Sequence, residues 1–71
     1  MTLEQVEPLR EYTVDKITLD DAEVESFLFS LGCFRGEPIT VILKKKSGLI
    51  VSIKDGRYCI DSPLAEAIHV R

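Results

Sequence analysis

Glu66 and His69, spaced E-x-x-H, and the thiols of Cys33 and Cys59 are the residues of this chain whose types could do metal or nucleophilic chemistry. E-x-x-H is the spacing with which di-iron bundles present a carboxylate and an imidazole from one helix, but such sites need two copies of the motif and four facing helices. The chain has 71 residues, one histidine and one copy. Soft ligation by Cys33, Cys59 and His69 requires that folding bring the three within about 4 Å of one another. His69 stands between Ile68 and Val70, so strand alternation turns it outward, and Cys33 follows a glycine that ends a helix, where a packed thiol is the simpler reading. No metal site and no cofactor are expected. The chain also has no G-x-x-x-x-G-K-[ST] and no G-x-S-x-G, so the parts for nucleotide chemistry and for a nucleophile elbow are missing, and no enzyme is expected.

The elements that position these residues are marked by punctuation. "YTVDKITL" alternates around Val14 as a first strand, after a short turn at "TLEQVEP". In "DDAEVESFLFSLG", Val24, Phe27, Leu28 and Leu31 fall at i, i+3, i+4 and i+7, the apolar stripe of a helix covering a core. Asp20 with Glu23 has the form of a capping box. Gly32 sits one residue past the stripe, where a left-handed residue closes a helix and lets Cys33 pack back on Leu28 in the Schellman manner. Gly36 permits a tight bend. Pro38 opens "PITVILK", with Ile39, Val41 and Leu43 expected on one face, and "KKSG" turns the chain. In "LIVSIKDGRYCID", Asp55 and Gly56 read as a two-residue hairpin turn pairing Ile53 with Tyr58, Ser52 with Cys59 and Val51 with Ile60. Ser62 is the expected cap of a single helical turn with Pro63 at its first position, and "IHV" a closing strand.

Size and charge bound the function. A domain of this length buries roughly 60 to 65% of its extended surface, so one modest core serves the whole chain. The formal charge is -3, which gives no general reason to bind nucleic acid or an anionic membrane. Residues 1–37 carry nine acids and three bases and residues 38–71 three acids and six bases, a division of -6 and +3 that suits a charge-patterned protein partner. "MTLEQVEPLREY" lacks both the basic start and the apolar core of a signal peptide, and no apolar run has spanning length, so a cytoplasmic chain without membrane insertion and with two reduced thiols is expected.

The pattern is a small barrel, mainly β, of about five strands with one α-helix after the first strand and a short helical turn before the last. The order strand, helix ending in "LG", "G-x-x-[IV]-x-[VI]", hairpin and final "A-x-A-I-x-V" resembles the ferrous iron transport protein A (FeoA) family, an SH3-like domain, along residues 1–71. Leu31, Gly32, Gly36, Val41, Ala65, Ile68 and Val70 carry the resemblance. The same fold is similar to the C-terminal domain of iron-dependent repressors of the diphtheria toxin type, and to SH3-like interaction modules in general. The chain departs from the family pattern in having Arg35 where many members have Pro, "KKKSG" where they have a longer "A-P-x-G-D-P" connection, and Ile60 and Asp61 where they have "L-R". The resemblance implies a cytoplasmic accessory protein of ferrous iron uptake, linked at family level to transition metals, that binds FeoB, a membrane permease with a G-protein domain, by protein contact. Weak self-association is compatible with it.

Two features supply candidate partner contacts. Lys44, Lys45 and Lys46 crowd one turn, and Lys54 is expected to face Arg57 across the hairpin, which gathers positive charge on that side. Phe29 lies off the helix stripe and Phe34 tops the Gly32–Gly36 bend beside Arg35, where an exposed ring next to a basic hairpin would form an anchor. A proline-rich peptide groove is disfavoured, since the chain has no Trp and only five aromatic residues. The isolated protein is expected neither to hydrolyse GTP nor to retain stoichiometric ferrous iron after desalting. Anaerobic titration revealing a tight one-to-one iron site would contradict the second expectation.

Overall fold

The computed structural model describes all residues, Met1–Arg71. Elements follow the order β1 (Glu11–Ile17), α1 (Ala22–Leu31), β2 (Pro38–Lys45), β3 (Gly48–Ile53), β4 (Gly56–Ile60), α2 (Ser62–Ala67) and β5 (Ile68–Val70). The strands form one antiparallel sheet in the order β4-β3-β2-β1-β5. β1 is its corner: Glu11–Thr13 pair with β2, whereas Val14–Ile17 pair with β5 after a register shift between Val14 and Lys16. A second shift lies between Val41 and Leu43 in β2. Each extra residue bends its strand and increases the local twist, which curls a five-stranded sheet around its own core.

That core contains Val14, Ile39, Val41, Val51, Ile53 and Ile68, with Leu28 from α1 and Ala65 from α2. It also contains Leu3 and Val6, both almost fully buried, from the segment that reads in the sequence as only a short turn. Leu3 donates its amide to the Ile68 carbonyl and Val70 to that of Met1, so the N-terminal residues cover the outer edge of β5. A lone i, i+3 pair of apolar residues carries no strand period, which is why this contribution is invisible to pattern reading.

Both helix caps fall one residue from the expected positions. Asp21, not Asp20, caps α1, its Oδ1 accepting from the amides of Glu23 and Val24, so no capping box with Glu23 forms. Asp61, not Ser62, caps α2, accepting from the Leu64 amide at 3.0 Å, and Pro63 lies in the first turn. Adjacent residues able to cap compete, and the chain direction on entry decides between them. Of the expected α1 stripe, Leu28 is buried and Val24 and Leu31 are partly so, but Phe27 is 57% exposed, because the curled sheet accepts a narrower stripe than the sequence offers.

Two strand expectations are likewise corrected. Leu43 does not continue the Ile39–Val41 face: the bulge at Ile42 breaks the alternation and leaves Leu43 49% exposed. The β3–β4 turn is Lys54–Asp55, not Asp55–Gly56, with Lys54 itself at φ 55°. Ile53 therefore faces Gly56, Ser52 faces Arg57, Val51 faces Tyr58, Ile50 faces Cys59 and Leu49 faces Ile60, a register two residues away from the expected one. Both registers keep the same side chains on the same face, so the period-2 pattern does not separate them. Here packing overrode the stronger turn dipeptide.

The Gly32 expectation holds. Gly32 is left-handed, at φ 94° and ψ 11°, with Gly32 N–H bonded to the Phe29 carbonyl and Cys33 N–H to that of Leu28. Those two bonds make a Schellman closure. Gly48 is a second obligatory glycine, at φ 150°, where a Cβ would run into the Ile60 carbonyl oxygen of the paired strand. At Gly32 a Cβ would press on the flexible stem of Lys54 and touch the Ile53 side chain, with no backbone atom in its way. Gly32→Ala should accordingly cost about 1–2 kcal/mol, chiefly for the left-handed backbone, and Gly48→Ala should cost more, because a strand backbone has to move. Chemical denaturation midpoints would check the order; equal losses would show that the β3–β4 ladder yields easily.

Candidate functional site

The end of α1 builds the most distinctive surface. After Gly32 reverses the chain, Cys33 drops into the core and Phe34 is thrown back over the last turn of the helix. There its ring stacks on Phe29, with centroids 4.6 Å apart and planes inclined by 28°. Phe34 is half-buried, whereas Phe29 remains 63% exposed. A stacked pair is worth about 0.5–1.5 kcal/mol beyond its burial, which holds the exposed ring in place without covering it.

Lys54 completes this end. It sits in the β3–β4 turn, its alkyl stem lies where a Gly32 side chain would be, and its Nζ reaches Glu37 Oε2 at 2.6 Å. The pair is solvent-exposed on the lysine side and contributes at most about 1 kcal/mol. Its effect is positional, since it ties the turn to the loop bearing Phe34, Arg35 and Gly36. Gly36, at φ 91°, donates to the Val14 carbonyl and fixes that loop on the β1 corner.

The expected partner residues thus divide between two ends of the molecule. Phe34, Arg35 and Lys54 belong to the α1 end, and Arg57 stands one residue past Gly56 on the same hairpin, opposite Ser52 and not opposite Lys54 as expected. Lys44, Lys45 and Lys46 lie at the other end of β3, whose six residues separate the two turns by roughly 20 Å. At that end Lys44 Nζ donates to the Glu4 carbonyl, and Gly48 abuts Asp61. One basic face does not form, because successive hairpin turns must lie at opposite ends of the strand they share.

Near Asp61 a cleft of about 240 Å³ opens between the two helices, lined by Leu19, Val24, Asp61, Pro63 and Leu64. Its walls come from segments about 40 residues apart, and sequence reasoning missed it. Only the apolar character of Val24 and Leu64 hinted at it.

The candidate ligands are dispersed. Cys33 is in the core, Cys59 is exposed on β4 opposite Ile50 rather than Ser52, and His69 Nε2 lies 3.2 Å from Thr18 Oγ1 on β1's side of β5. No group of three or more His, Cys, Asp or Glu side chains lies close enough to hold a metal ion. Burial pushes the Cys33 thiol up from 9.0 to about 11. No helix is long and apolar enough to cross a membrane.

A profile of the FeoA domain matches residues 1–71. The chain belongs to the FeoA family. Among solved structures, an iron uptake regulatory protein, FeoA, is 28% identical, covers all of this chain and 95% of its own, and superposes with a TM-score of 0.85. The FeoA protein of Chlorobium tepidum is 21% identical over 99% of this chain and 68% of its own, with a TM-score of 0.89. FeoA of Stenotrophomonas maltophilia, solved with zinc and described as a prokaryotic SH3 domain protein, is 20% identical over all of this chain and 89% of its own, with a TM-score of 0.85. These likenesses establish the SH3-like fold. Comparison with curated proteins finds no match.

The thiols give a test of the site's framework. Between pH 9 and 11 the folded Cys33 keeps its proton while the unfolded chain has lost it, so stability falls as pH rises through that window and is complete below it. The loss should be on the order of 2 kcal/mol. Comparing unfolding at pH 8.5 and 10.5 in the parent and in Cys33→Ala isolates it; parallel losses in both proteins would show that Cys33 does not titrate with unfolding.

Proposed function

We propose that this protein is a non-catalytic, cytoplasmic accessory factor of ferrous iron uptake that binds the cytoplasmic region of an FeoB-type permease through protein contact. The observation that carries the reading is the whole-chain FeoA match joined to a stacked surface aromatic pair in which Phe34 is half-buried and Phe29 stays exposed. The similar Stenotrophomonas protein is described as a candidate ferrous iron transport activating factor, and another neighbour as an iron uptake regulator, which supports the pathway.

In this reading Phe29 and Phe34 are the anchor, and Arg35, Lys54 and Arg57 are charges around it. Aromatic side chains on a preorganised surface contribute large contact area with little entropy to lose. Rim charges act on encounter rate and its salt dependence, whereas anchors act on dissociation. The lysines of the opposite turn, Lys44 to Lys46, contribute long-range attraction without contact.

Binding of variants to the immobilised cytoplasmic region of the permease across a salt series tests this. Phe29→Ala and Phe34→Ala should each weaken capture roughly tenfold or more at every salt concentration, Arg35→Glu should weaken it mainly at low salt, and Lys45→Glu should have the least effect. Circular dichroism controls for folding. Wild-type affinity in both Phe variants, with structure intact, moves the interface away from the α1 end; no capture by the parent protein removes the permease as partner.

A further inference from the structure

The two edges of the sheet are treated differently. The β5 edge is covered by Met1–Leu3, whereas β4 pairs only with β3, and no other backbone or side-chain hydrogen bond engages Arg57 or Cys59. The two-residue turn Lys54–Asp55 closes on the Ile53–Gly56 pair. By the alternation of an antiparallel ladder, Gly56, Tyr58 and Ile60 direct their backbone groups to β3, and Arg57 and Cys59 direct theirs outward. The side chains of Arg57, Cys59 and Asp61 are all exposed. Asp61 is itself extended, at φ -81° and ψ 169°; its carbonyl accepts from the Ala65 amide in α2 but its own amide has no partner, so the open edge ends on that N–H.

We infer that this edge binds β4 of a second copy of the chain, antiparallel, about a two-fold axis at Cys59. Self-pairing of one strand requires the same residues on both sides, and charge selects the register. An axis at Arg57 sets two guanidinium groups face to face, and an axis at Tyr58 sets Arg57 against Cys59. With the axis at Cys59, Arg57 of each copy faces Asp61 of the other, and Tyr58 faces Ile60. That register makes opposite charges neighbours on both sides of the axis and aligns all the outward-facing residues with one another. It also engages the longest stretch of open edge. Asp61 uses Oδ1 to cap Leu64, which leaves its second oxygen for the guanidinium. The pairing closes as a dimer because a two-fold interface is self-complementary. A strand of five residues buries less than a standard interface, so the dimer is weak and concentration-dependent. Arg57 is also a rim charge of the proposed permease surface, but neither the β4 edge nor its test involves the permease.

The exposed thiol reports the register. Directly opposed residues in a hydrogen-bonded pair have Cα atoms about 5.5 Å apart, within disulfide range, while Cys33 is buried. Sedimentation equilibrium over a concentration series, and cross-linking with diamide, which takes up the two electrons and two protons released by two thiols, test the proposal on the full chain. Expected are a reversible monomer–dimer equilibrium and a covalent dimer joined through Cys59 alone. Arg57→Glu, which sets like charges opposite each other, should raise the dimer Kd roughly tenfold or more and slow cross-linking, with an unchanged circular dichroism spectrum. Arg57→Pro, which removes an outward amide, should do the same. A monomer at every concentration, a cross-link through Cys33, or a dimer indifferent to both folded variants would overturn it.

Discussion

The left-handed closure of α1 at Gly32 is the constraint on which one whole end of the molecule depends. Two backbone bonds, from Gly32 and Cys33 into the last turn of the helix, reverse the chain within three residues. That reversal sends Cys33 inward and Phe34 onto Phe29, and it brings Gly36 and Glu37 to the β1 corner, where Val14 exchanges hydrogen bonds with them. Lys54 then lies across the bare glycine and reaches Glu37. A side chain at residue 32 would contest both the backbone conformation and the space that Lys54 fills. The core thiol, the aromatic surface and the tether of the β3–β4 turn therefore share one cause.

The rest of the barrel follows from how a short sheet closes. Five strands cannot wrap around a core without bending, and here the bending is concentrated at Asp15 and Ile42, the residues passed over in the two ladders. β1 can serve β2 with one half and β5 with the other because of the first bulge, while the second turns Leu43 out to solvent. The remaining edges are handled locally. N-terminal residues seal β5, with Leu3 and Val6 adding apolar volume that a small domain can hardly spare. β4 stays open, carrying Arg57 and an exposed thiol, and an open edge is a template for another strand.

Charge is distributed by the same geometry. Consecutive hairpins place their turns at alternate ends, so Lys44 to Lys46 and Lys54 are separated by the length of β3, and the +3 excess of residues 38–71 never becomes one patch. Lys54 is further neutralised by Glu37. What remains at the α1 end is the stacked aromatic pair, with Arg35 next to Phe34 in the chain.

By itself the sequence determined the element order, the five strands, the helix and its stop, because these rest on local signals: apolar period, a glycine just past a stripe, a proline opening a strand. It also carried the family, since Leu31, Gly32, Gly36, Ala65, Ile68 and Val70 stand at the turns and buried positions that the fold constrains most. The burial of Cys33 was legible for the same reason, as it follows a cap. Tertiary structure decided the rest. Asp21 and Asp61 won over neighbouring caps, Lys54–Asp55 became the turn in place of Asp55–Gly56, and the bulge at Ile42 broke an unbroken alternation. In each case two local solutions differ by about a kcal/mol or less, and packing against distant residues chose. The Phe29–Phe34 stack, the cleft between α1 and α2 and the open edge of β4 lie beyond local reading altogether. Each depends on which segments a bent sheet brings side by side or leaves without a neighbour, and no period or spacing along the chain encodes that.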